Sequence, residues 1–169
     1  MQLSEQEIIR REKLAGLRKL NINPYPADLY PVDHTSAKIK QDFEDGKKVV
    51  IAGRLMSRRI QGKASFAELQ DSTGRIQVYF NRDEICPGDD KTQYNDVYKK
   101  LLDIGDFIGI EGELFTTQVG EKTVMVKNFS ILSKSLRPLP LPKKDKDGKE
   151  VDRKRYPFLL DTLLFKNHN

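Results

Sequence analysis

Apolar and polar residues alternate along the stretch 47–80, and this alternation restricts the chain to strands there. Successive side chains of a β-strand point to opposite faces. In the segment 75–81, one face is therefore apolar and is made of Ile76, Val78 and Phe80. The opposite face is polar or amphipathic and is made of Arg75, Gln77 and Tyr79. The stretch predicts antiparallel strands with one buried face and one solvated face.

The same stretch carries a local cluster of positive charge. Residues 47–67 contain six basic side chains and no acidic one: Lys47, Lys48, Arg54, Arg58, Arg59 and Lys63. Basic side chains neutralise phosphates, and the aromatic ring that follows them, Phe66, can stack a base. The pattern predicts single-stranded nucleic-acid binding. A half-buried hairpin with a solvated basic face is the alternative that composition leaves open.

Composition restricts the class of protein but says little about the ligand. The 169 residues are 37% hydrophobic and 33% charged, which is typical of a soluble folded domain. The net charge of +5 arises mostly after residue 134, so it is a weaker argument for nucleic-acid binding than the cluster. We expect no membrane span, because no apolar run approaches about 20 residues, and no secretory signal at the N-terminus. The single cysteine, Cys86, excludes an internal disulfide and fits a cytoplasmic protein.

Five segments have strand patterns, and one segment between the third and fourth strands has helical spacing, Tyr94–Leu102. The predicted strands are 49–57, 65–70, 75–81, 106–117 and 122–133. This order predicts a mainly β fold, a five-stranded Greek-key barrel of the OB type with a short helix between strands 3 and 4. OB barrels bind oligonucleotides on the face of strands 2 and 3.

The barrel is predicted to have extensions on both sides. An N-terminal helix is expected over residues 4–20, because Ser4 and Glu7 form a capping-box pattern. Its apolar stripe indicates docking on the barrel, its cations indicate RNA binding, and the two are compatible. We expect three regions: helix and connector (1–46), barrel (47–136), and a proline-rich linker with a charged and apolar tail (137–169). The charged run 143–155 is expected to be solvated and mobile.

The candidate base-binding face follows from the alternation. In the second strand Phe66, Glu68 and Gln70 project together, and in the third strand Gln77 lies on the polar face. A base stacked on Phe66 would gain roughly 1–3 kcal/mol. The Gln77 amide offers donors and an acceptor to a base edge, and a guanidinium from one of two adjacent arginines can bind a phosphate or a base carbonyl. Those arginines are Arg58 and Arg59.

Each of these side chains also has an ordinary structural role that the sequence leaves open. Phe66 could belong to the core, and Gln77 could simply be solvated. The two arginines could pair with nearby carboxylates, Glu68 or Asp71. Three-dimensional neighbours decide between these alternatives.

Three blocks of sequence carry a family resemblance: LSEQEIIRREKLAGLRKLNINPYP, VVIAGRLMSRRIQGKASFAELQDSTGRIQVYF and DIGDFIGIEGELFTTQVGEKTVMVKNFSILSKSLRPLP. In this order and spacing they closely resemble the N-terminal anticodon-binding domain of class II lysyl-tRNA synthetases, over about residues 4–140. Aspartyl- and asparaginyl-tRNA synthetases share the barrel but lack this N-terminal helix and Asn-Pro-Tyr-Pro connector.

The resemblance implies a partner, the anticodon loop of lysine tRNA, and roles for individual residues. It implies that Phe66 stacks on the central uridine, that Arg59 and Gln77 bind the same base, and that Glu121 contributes to anticodon recognition. We expect general attraction to RNA phosphates from Arg54, Lys63 and the helix cations. The full set of predicted RNA-binding residues is Phe66, Arg59, Gln77, Glu121, Arg58, Arg54 and Lys63.

The tail departs from the family pattern. The resemblance implies that a full synthetase continues into class II motifs 1, 2 and 3. The motif 2 arginine that holds the ATP phosphate and the motif 3 arginine are absent from residues 137–169. We therefore expect no catalytic residue, no cofactor and no catalysis by this chain alone; ATP and Mg²⁺ would belong to a catalytic domain. Zinc is not expected either, because Cys86, His34 and His168 are too few and too widely separated.

Two other functions remain open from the sequence. The first is a general single-stranded nucleic-acid-binding OB protein without base preference. The second is a non-catalytic interaction module that forms a homodimer, or docks on a synthetase, through its N-terminal helix or its tail.

Overall fold

The structure is a computed structural model that describes residues 2–140 and two short strands, β6 (Lys143–Lys144) and β7 (Glu150–Val151). The chain divides into two compact units, Met1–Pro138 and Leu139–Asn169. In the second unit, β6 and β7 pair antiparallel, which the charged run alone does not predict. The three predicted region boundaries stay predictions, and the apolar part of the predicted tail, residues 158–165, lies outside the described residues.

Five strands form a closed barrel in the first unit. They are β1 (Lys48–Gln61), β2 (Ala64–Gln70), β3 (Arg75–Asn81), β4 (Phe107–Thr116) and β5 (Lys122–Ser133). Their order around the barrel is β1-β2-β3-β5-β4, with β4 returning to β1. The pair β3–β5 is parallel and all other pairs are antiparallel. The predicted mainly β, five-stranded OB-fold is confirmed.

The alternation of the sequence is the alternation of burial. In β2 and β3 every second side chain faces the barrel interior, and the residues between them are only partly buried or exposed. Burying an aliphatic side chain contributes about 1.5–3 kcal/mol, so this pattern fixes which face of each strand points inward. The interior includes Val49, Ile51, Leu55, Leu69, Ile76, Val78, Phe80, Ile108, Ile110, Leu114, Val124 and Val126.

A one-residue bulge in β1 inverts the faces of that strand. Leu55 pairs with Leu69, but the next pair is Ser57 with Glu68, so Met56 is an extra residue. Before the bulge the odd-numbered side chains, such as Leu55, face the interior. Beyond it the even-numbered residues lie opposite the inward-facing residues of β2. A bulge of this kind redirects every side chain that follows it.

Within residues 2–140, four helices accompany the barrel: α1 (Glu5–Lys19), α2 (Ser36–Gln41), α3 (Arg82–Ile85) and α4 (Gln93–Leu101). The predicted capping box at the start of α1 is present, since Ser4 Oγ accepts from the Glu7 backbone N–H and Glu7 Oε2 accepts from the Ser4 N–H. The helix predicted between strands 3 and 4 is α4. It is a π-helix, ending with a 3.0 Å bond from the Leu102 N–H to the Val97 carbonyl, which the spacing of its apolar residues does not reveal.

Helix α1 docks on the barrel through a buried arginine. The Arg10 guanidinium donates to the carbonyls of Ser135 at 3.0 Å and Ile104 at 2.9 Å, and only 7% of the residue is exposed. Leu17 is completely buried on the same helix. Arg10 is therefore not one of the surface cations expected from the sequence. Its guanidinium instead binds two backbone carbonyls, one in the loop before β4 and one just after β5.

Buried charges hold the end of β5. Lys134 Nζ lies 2.6 Å from Asp103 Oδ2 and 2.8 Å from Asp106 Oδ2, and Lys13 of α1 reaches the second oxygen of Asp103 at 2.5 Å. Burial disfavours the charged form of Asp103, but the bonds from Lys13 and Lys134 outweigh it and hold its pKa below the ordinary value. The network joins the helix, the loop before β4 and the end of β5.

The connector before α2 is held by an aromatic ring on a glycine. The Tyr30 ring lies against the Gly109 backbone so closely that a Cβ at Gly109 would fall 2.3 Å from Tyr30 Cζ. Burial, together with the nearby Glu111 carboxylate, raises the pKa of Tyr30 to about 12. Only glycine admits this contact.

Candidate nucleic-acid interface

An aromatic pair occupies the outer face of the barrel. In the register of the sheet, Phe66 of β2 lies between Arg59 of β1 and Tyr79 of β3. The ring centroids of Phe66 and Tyr79 are 4.8 Å apart and their planes are tilted by 43°. Both side chains are partly exposed, and neither belongs to the interior cluster. Phe66 is therefore a surface aromatic that can present its ring to a base.

The bulge at Met56 gives the two neighbouring arginines different environments. Arg59 lies on the outer face beside Phe66, is exposed, and has no hydrogen-bond or carboxylate partner within residues 2–140. Arg58 faces the other way, opposite the buried Ala67. Its guanidinium donates to the Tyr98 carbonyl and lies 5.4 Å from the centre of the Tyr98 ring. The structure thus brings Arg59 to the candidate site and keeps Arg58 apart as a support for α4.

Gln77 lies on the outer face of β3, at the parallel pairing with β5. Its side-chain amide donates from Nε2 to Thr123 Oγ1 at 2.9 Å. The Thr123 hydroxyl donates in turn to the Glu121 carbonyl at 3.1 Å. Thr123 is completely buried, whereas Gln77 is partly exposed. The Gln77 oxygen, Oε1, has no partner among residues 2–140, so it is the group left for a ligand.

Glu121 immediately precedes β5, the return strand of the β4–β5 hairpin. The turn closes at Gly120, whose φ of +84° favours glycine. Thr117 and Glu121 exchange two 3.0 Å bonds, one between their backbones and one from the Glu121 N–H to Thr117 Oγ1. The Glu121 backbone is therefore fixed, while its carboxylate is exposed to solvent.

The two remaining candidates lie at the margins of this face. Arg54 is at the other end of the β1–β2 pairing, opposite Gln70. Its guanidinium stacks 4.3 Å from the centre of the Phe107 ring and donates to the Gly105 carbonyl at 3.0 Å. Lys63 is exposed in the β1–β2 turn, where its Nζ lies 3.1 Å from Asp83 Oδ2. Both remain accessible enough to attract phosphate, but neither touches Phe66.

The carboxylates that could have neutralised the arginines have other partners. Glu68 pairs with Arg75 at 3.2 Å, not with Arg58 or Arg59. Asp71 accepts from the N–H and the hydroxyl of Ser36, at the start of α2, and from Thr73. Burial opposes ionisation of Asp71, but these bonds outweigh it and hold its pKa below the ordinary value. The positive charge of Arg59 is left for a ligand.

Phe115 of β4 extends the aromatic surface, and sequence reasoning did not identify it. Its ring is partly exposed and meets the Tyr79 ring edge-on at a centroid distance of 5.9 Å. β5 separates their strands in the barrel order. In β4, Leu114 is buried, so alternation predicts that Phe115 points to the outer face. The contact of Phe115 with Tyr79 could not be predicted from β4 alone.

Residues 49–132 match the family model of an OB-fold nucleic acid binding domain, the model for tRNA anticodon binding. These residues form a member of that family. The match covers the barrel almost from end to end, and the OB-fold domain carries all the site residues described above. The resemblance to the anticodon-binding domain of lysyl-tRNA synthetases is confirmed.

The curated relatives extend the similarity beyond the OB-fold domain. The chain is 79% identical over 151 residues to a lysine–tRNA ligase of Christiangramia forsetii, which covers 89% of this chain and 26% of that protein. It is 55% identical over 157 residues to a lysine–tRNA ligase of Porphyromonas gingivalis, and this match covers 90% of this chain and 27% of that protein. A lysine–tRNA ligase of a Thermoanaerobacter species is 47% identical over 141 residues, and this match covers 82% of this chain and 27% of that protein. The chain thus spans about a quarter of the length of these relatives.

Within the part of the chain that the structure describes, no helix is both long enough and apolar enough to cross a membrane.

Proposed function

We propose that the OB-fold domain recognises the anticodon loop of a lysine tRNA. The observation that carries the proposal is the partly exposed Phe66 ring, with the Arg59 guanidinium on one side and the Gln77 oxygen on the neighbouring strand. Neither of these two polar groups has a partner within residues 2–140. A base stacked on Phe66 would gain roughly 1–3 kcal/mol from the ring. The polar groups beside it then select among bases.

The free polar groups fit the edge of uridine. Uridine presents a donor, N3–H, between two carbonyl acceptors. The Gln77 oxygen can accept from N3–H, and the Arg59 guanidinium can donate to a carbonyl. Cytidine places a lone pair at N3 and would oppose the Gln77 oxygen. This complementarity supports recognition of a central uridine, as in a lysine anticodon.

The longer relatives are lysine–tRNA ligases, and we infer that this chain corresponds to their anticodon-binding portion. The proposed role is in cytoplasmic protein biosynthesis. Binding of RNA by Phe66, Arg59, Gln77 and Glu121 needs no cofactor. We propose no site for lysine, ATP or Mg²⁺ in the chain, and assign ligation to the remaining part of such a ligase.

Titration of the full chain with RNA stem-loops tests the proposal. The loops carry a UUU or a UCU anticodon, and each is measured at two salt concentrations. We expect tighter binding of UUU. Phe66→Ala should weaken it by the equivalent of about 1–3 kcal/mol with little change in the salt slope, because stacking is not a phosphate contact. Leu29→Ala is the control, since Leu29 is an apolar residue of the connector that is 95% exposed.

Two results would contradict the proposal in different ways. Equal affinity of the wild-type chain for both loops would favour a general single-stranded nucleic-acid binder. An absence of binding to either loop would favour the interaction module. Homodimer formation through α1 or the tail stays a separate prediction, which sedimentation equilibrium of the full chain would test.

A further inference from the structure

We infer that Thr123 is the positioning residue that sets base preference at this site. The inference rests on the proposed function and concerns the orientation of the Gln77 amide. An amide can be turned by 180° at little cost, which exchanges its donor for its acceptor. If Gln77 were free to turn, it would accept uridine and cytidine with little discrimination. Something must hold one orientation.

The direction of two hydrogen bonds fixes that orientation. A threonine hydroxyl has one proton, and the Glu121 carbonyl, 3.1 Å from Thr123 Oγ1, can only accept it. Thr123 Oγ1 must therefore act as an acceptor toward Gln77, 2.9 Å away, and only the amide NH₂ group can donate to it. The Gln77 oxygen is directed away from Thr123. The orientation follows from this hydrogen-bond sequence, not from the fit of a ligand.

Burial makes the constraint persistent. Thr123 is completely buried, so water does not compete for its hydroxyl. The Glu121 carbonyl belongs to the fixed hairpin turn, closed by the bonds between Thr117 and Glu121. Gln77 and Thr123 are also direct partners in the register of the parallel β3–β5 pairing. The backbone therefore holds all three groups in place before any base arrives.

Removing only the hydroxyl tests this inference. Thr123→Val keeps the shape of the side chain but frees the Gln77 amide. The ratio of affinities for UUU and UCU stem-loops should fall roughly threefold to tenfold, the range that a single neutral hydrogen bond contributes. Thr123→Ser retains the hydroxyl and should retain the ratio. Thr116→Val is the control: it removes an exposed hydroxyl of the same hairpin that donates to Asp45 and takes no part in the bonds among Gln77, Thr123 and Glu121, so it should leave the ratio intact.

A second measurement uses the wild-type chain. In ¹⁵N NMR spectra, the side-chain NH₂ protons of Gln77 should exchange with water more slowly than those of Gln118, which is exposed and makes no side-chain hydrogen bond within residues 2–140. Rapid exchange at Gln77, or an unchanged ratio in a folded Thr123→Val chain, would overturn the role of Thr123 while leaving the proposed function standing. Equal affinity of the wild-type chain for both loops would instead remove the proposed function itself.

Discussion

Lys134 Nζ lies 2.8 Å from Asp106 Oδ2, and the side chains of both residues are completely buried. Asp106 also accepts from the backbone N–H groups of Asp103 and Ser135. A carboxylate with these partners would be left uncompensated in the interior if the lysine were removed. We expect Lys134→Met to lower the free energy of unfolding by about 3–5 kcal/mol, measured by urea denaturation.

An exposed ion pair supplies the control for that prediction. Lys127 Nζ lies 2.5 Å from Glu84 Oε2 with both side chains about two-fifths exposed, so Lys127→Met should change stability by at most about 1 kcal/mol. Equal losses in the two variants would show that the Lys134 pair adds no more than a surface contact.

Asp71 should make the barrel sensitive to acid. Hydrogen bonds from Ser36 and Thr73 hold the pKa of Asp71 in the folded state below the ordinary value of 3.8. The folded state therefore stabilises the ionised carboxylate. Its stabilising contribution is complete above about pH 4 and is lost as the pH falls from there toward the native pKa. Asp71→Asn should lower stability at neutral pH and reduce this acid-dependent loss.

Urea denaturation at about pH 7, 4 and 3 measures the effect. Asp89→Asn is the matched control, because the exposed Asp89 makes no side-chain hydrogen bond within residues 2–140. If the Asp71→Asn and wild-type chains lost equal amounts of stability between about pH 7 and about pH 3, Asp71 would not be the source of the acid sensitivity.

The contact between Tyr30 and Gly109 predicts a selective release of the connector. Gly109→Ala would place a Cβ 2.3 Å from Tyr30 Cζ, so the ring must leave or the strand must shift. We expect a loss of about 1–3 kcal/mol and faster amide exchange in residues 24–34. Gly88→Ala is the control, since a Cβ there meets nothing within 4 Å.

The double variant Tyr30→Ala, Gly109→Ala separates the clash from other effects. The three atoms nearest to the added methyl group all belong to the Tyr30 ring, so the double variant should be about as stable as Tyr30→Ala alone. Additive losses would mean that Gly109 matters for a reason other than Tyr30.

Substitutions of the adjacent residues Arg58 and Arg59 should affect different properties: stability for Arg58 and RNA binding for Arg59. Arg58→Ala removes a bond to the Tyr98 carbonyl and a ring contact, so it should lower the melting temperature. Arg59→Ala should leave the melting temperature unchanged and weaken binding of a UUU stem-loop by about tenfold or more, the effect of losing a charged hydrogen bond. Thermal unfolding and RNA titration of both variants decide the matter, and the reverse pattern would contradict the placement of the two faces.

The sequence is sufficient to predict the strands and most of their facing, because the period of two is unbroken in β2 and β3. It also places Phe66 and Gln77 correctly on polar faces. It is insufficient for β1, where the extra residue Met56 reverses the facing of everything beyond it. Alternation carried through from Leu55 would put Arg58 outside and Arg59 inside. Only the pairing with β2, a non-local contact, shows the opposite.

Two further features depend on contacts distant in sequence. The meeting of Phe115 with Tyr79 follows from barrel closure, which brings β4 near β3 across β5. The burial of Arg10 follows from two backbone carbonyls more than 90 residues away in the chain. Both side chains have unremarkable local patterns, so no local rule would separate them from their neighbours.

The parallel pairing of β3 and β5 runs only from Gln77–Thr123 to Phe80–Val126, which makes it the shortest seam of the barrel. The proposed RNA contacts fall on both sides of it: Phe66 and Gln77 lie on the β2–β3 side, and Glu121 immediately precedes β5. An RNA loop bound by all three residues would link the two sides of the β3–β5 pairing. Bound RNA should therefore slow local opening of the barrel first at the β3–β5 pairing. The RNA ligand would then stabilise the same fold that binds it.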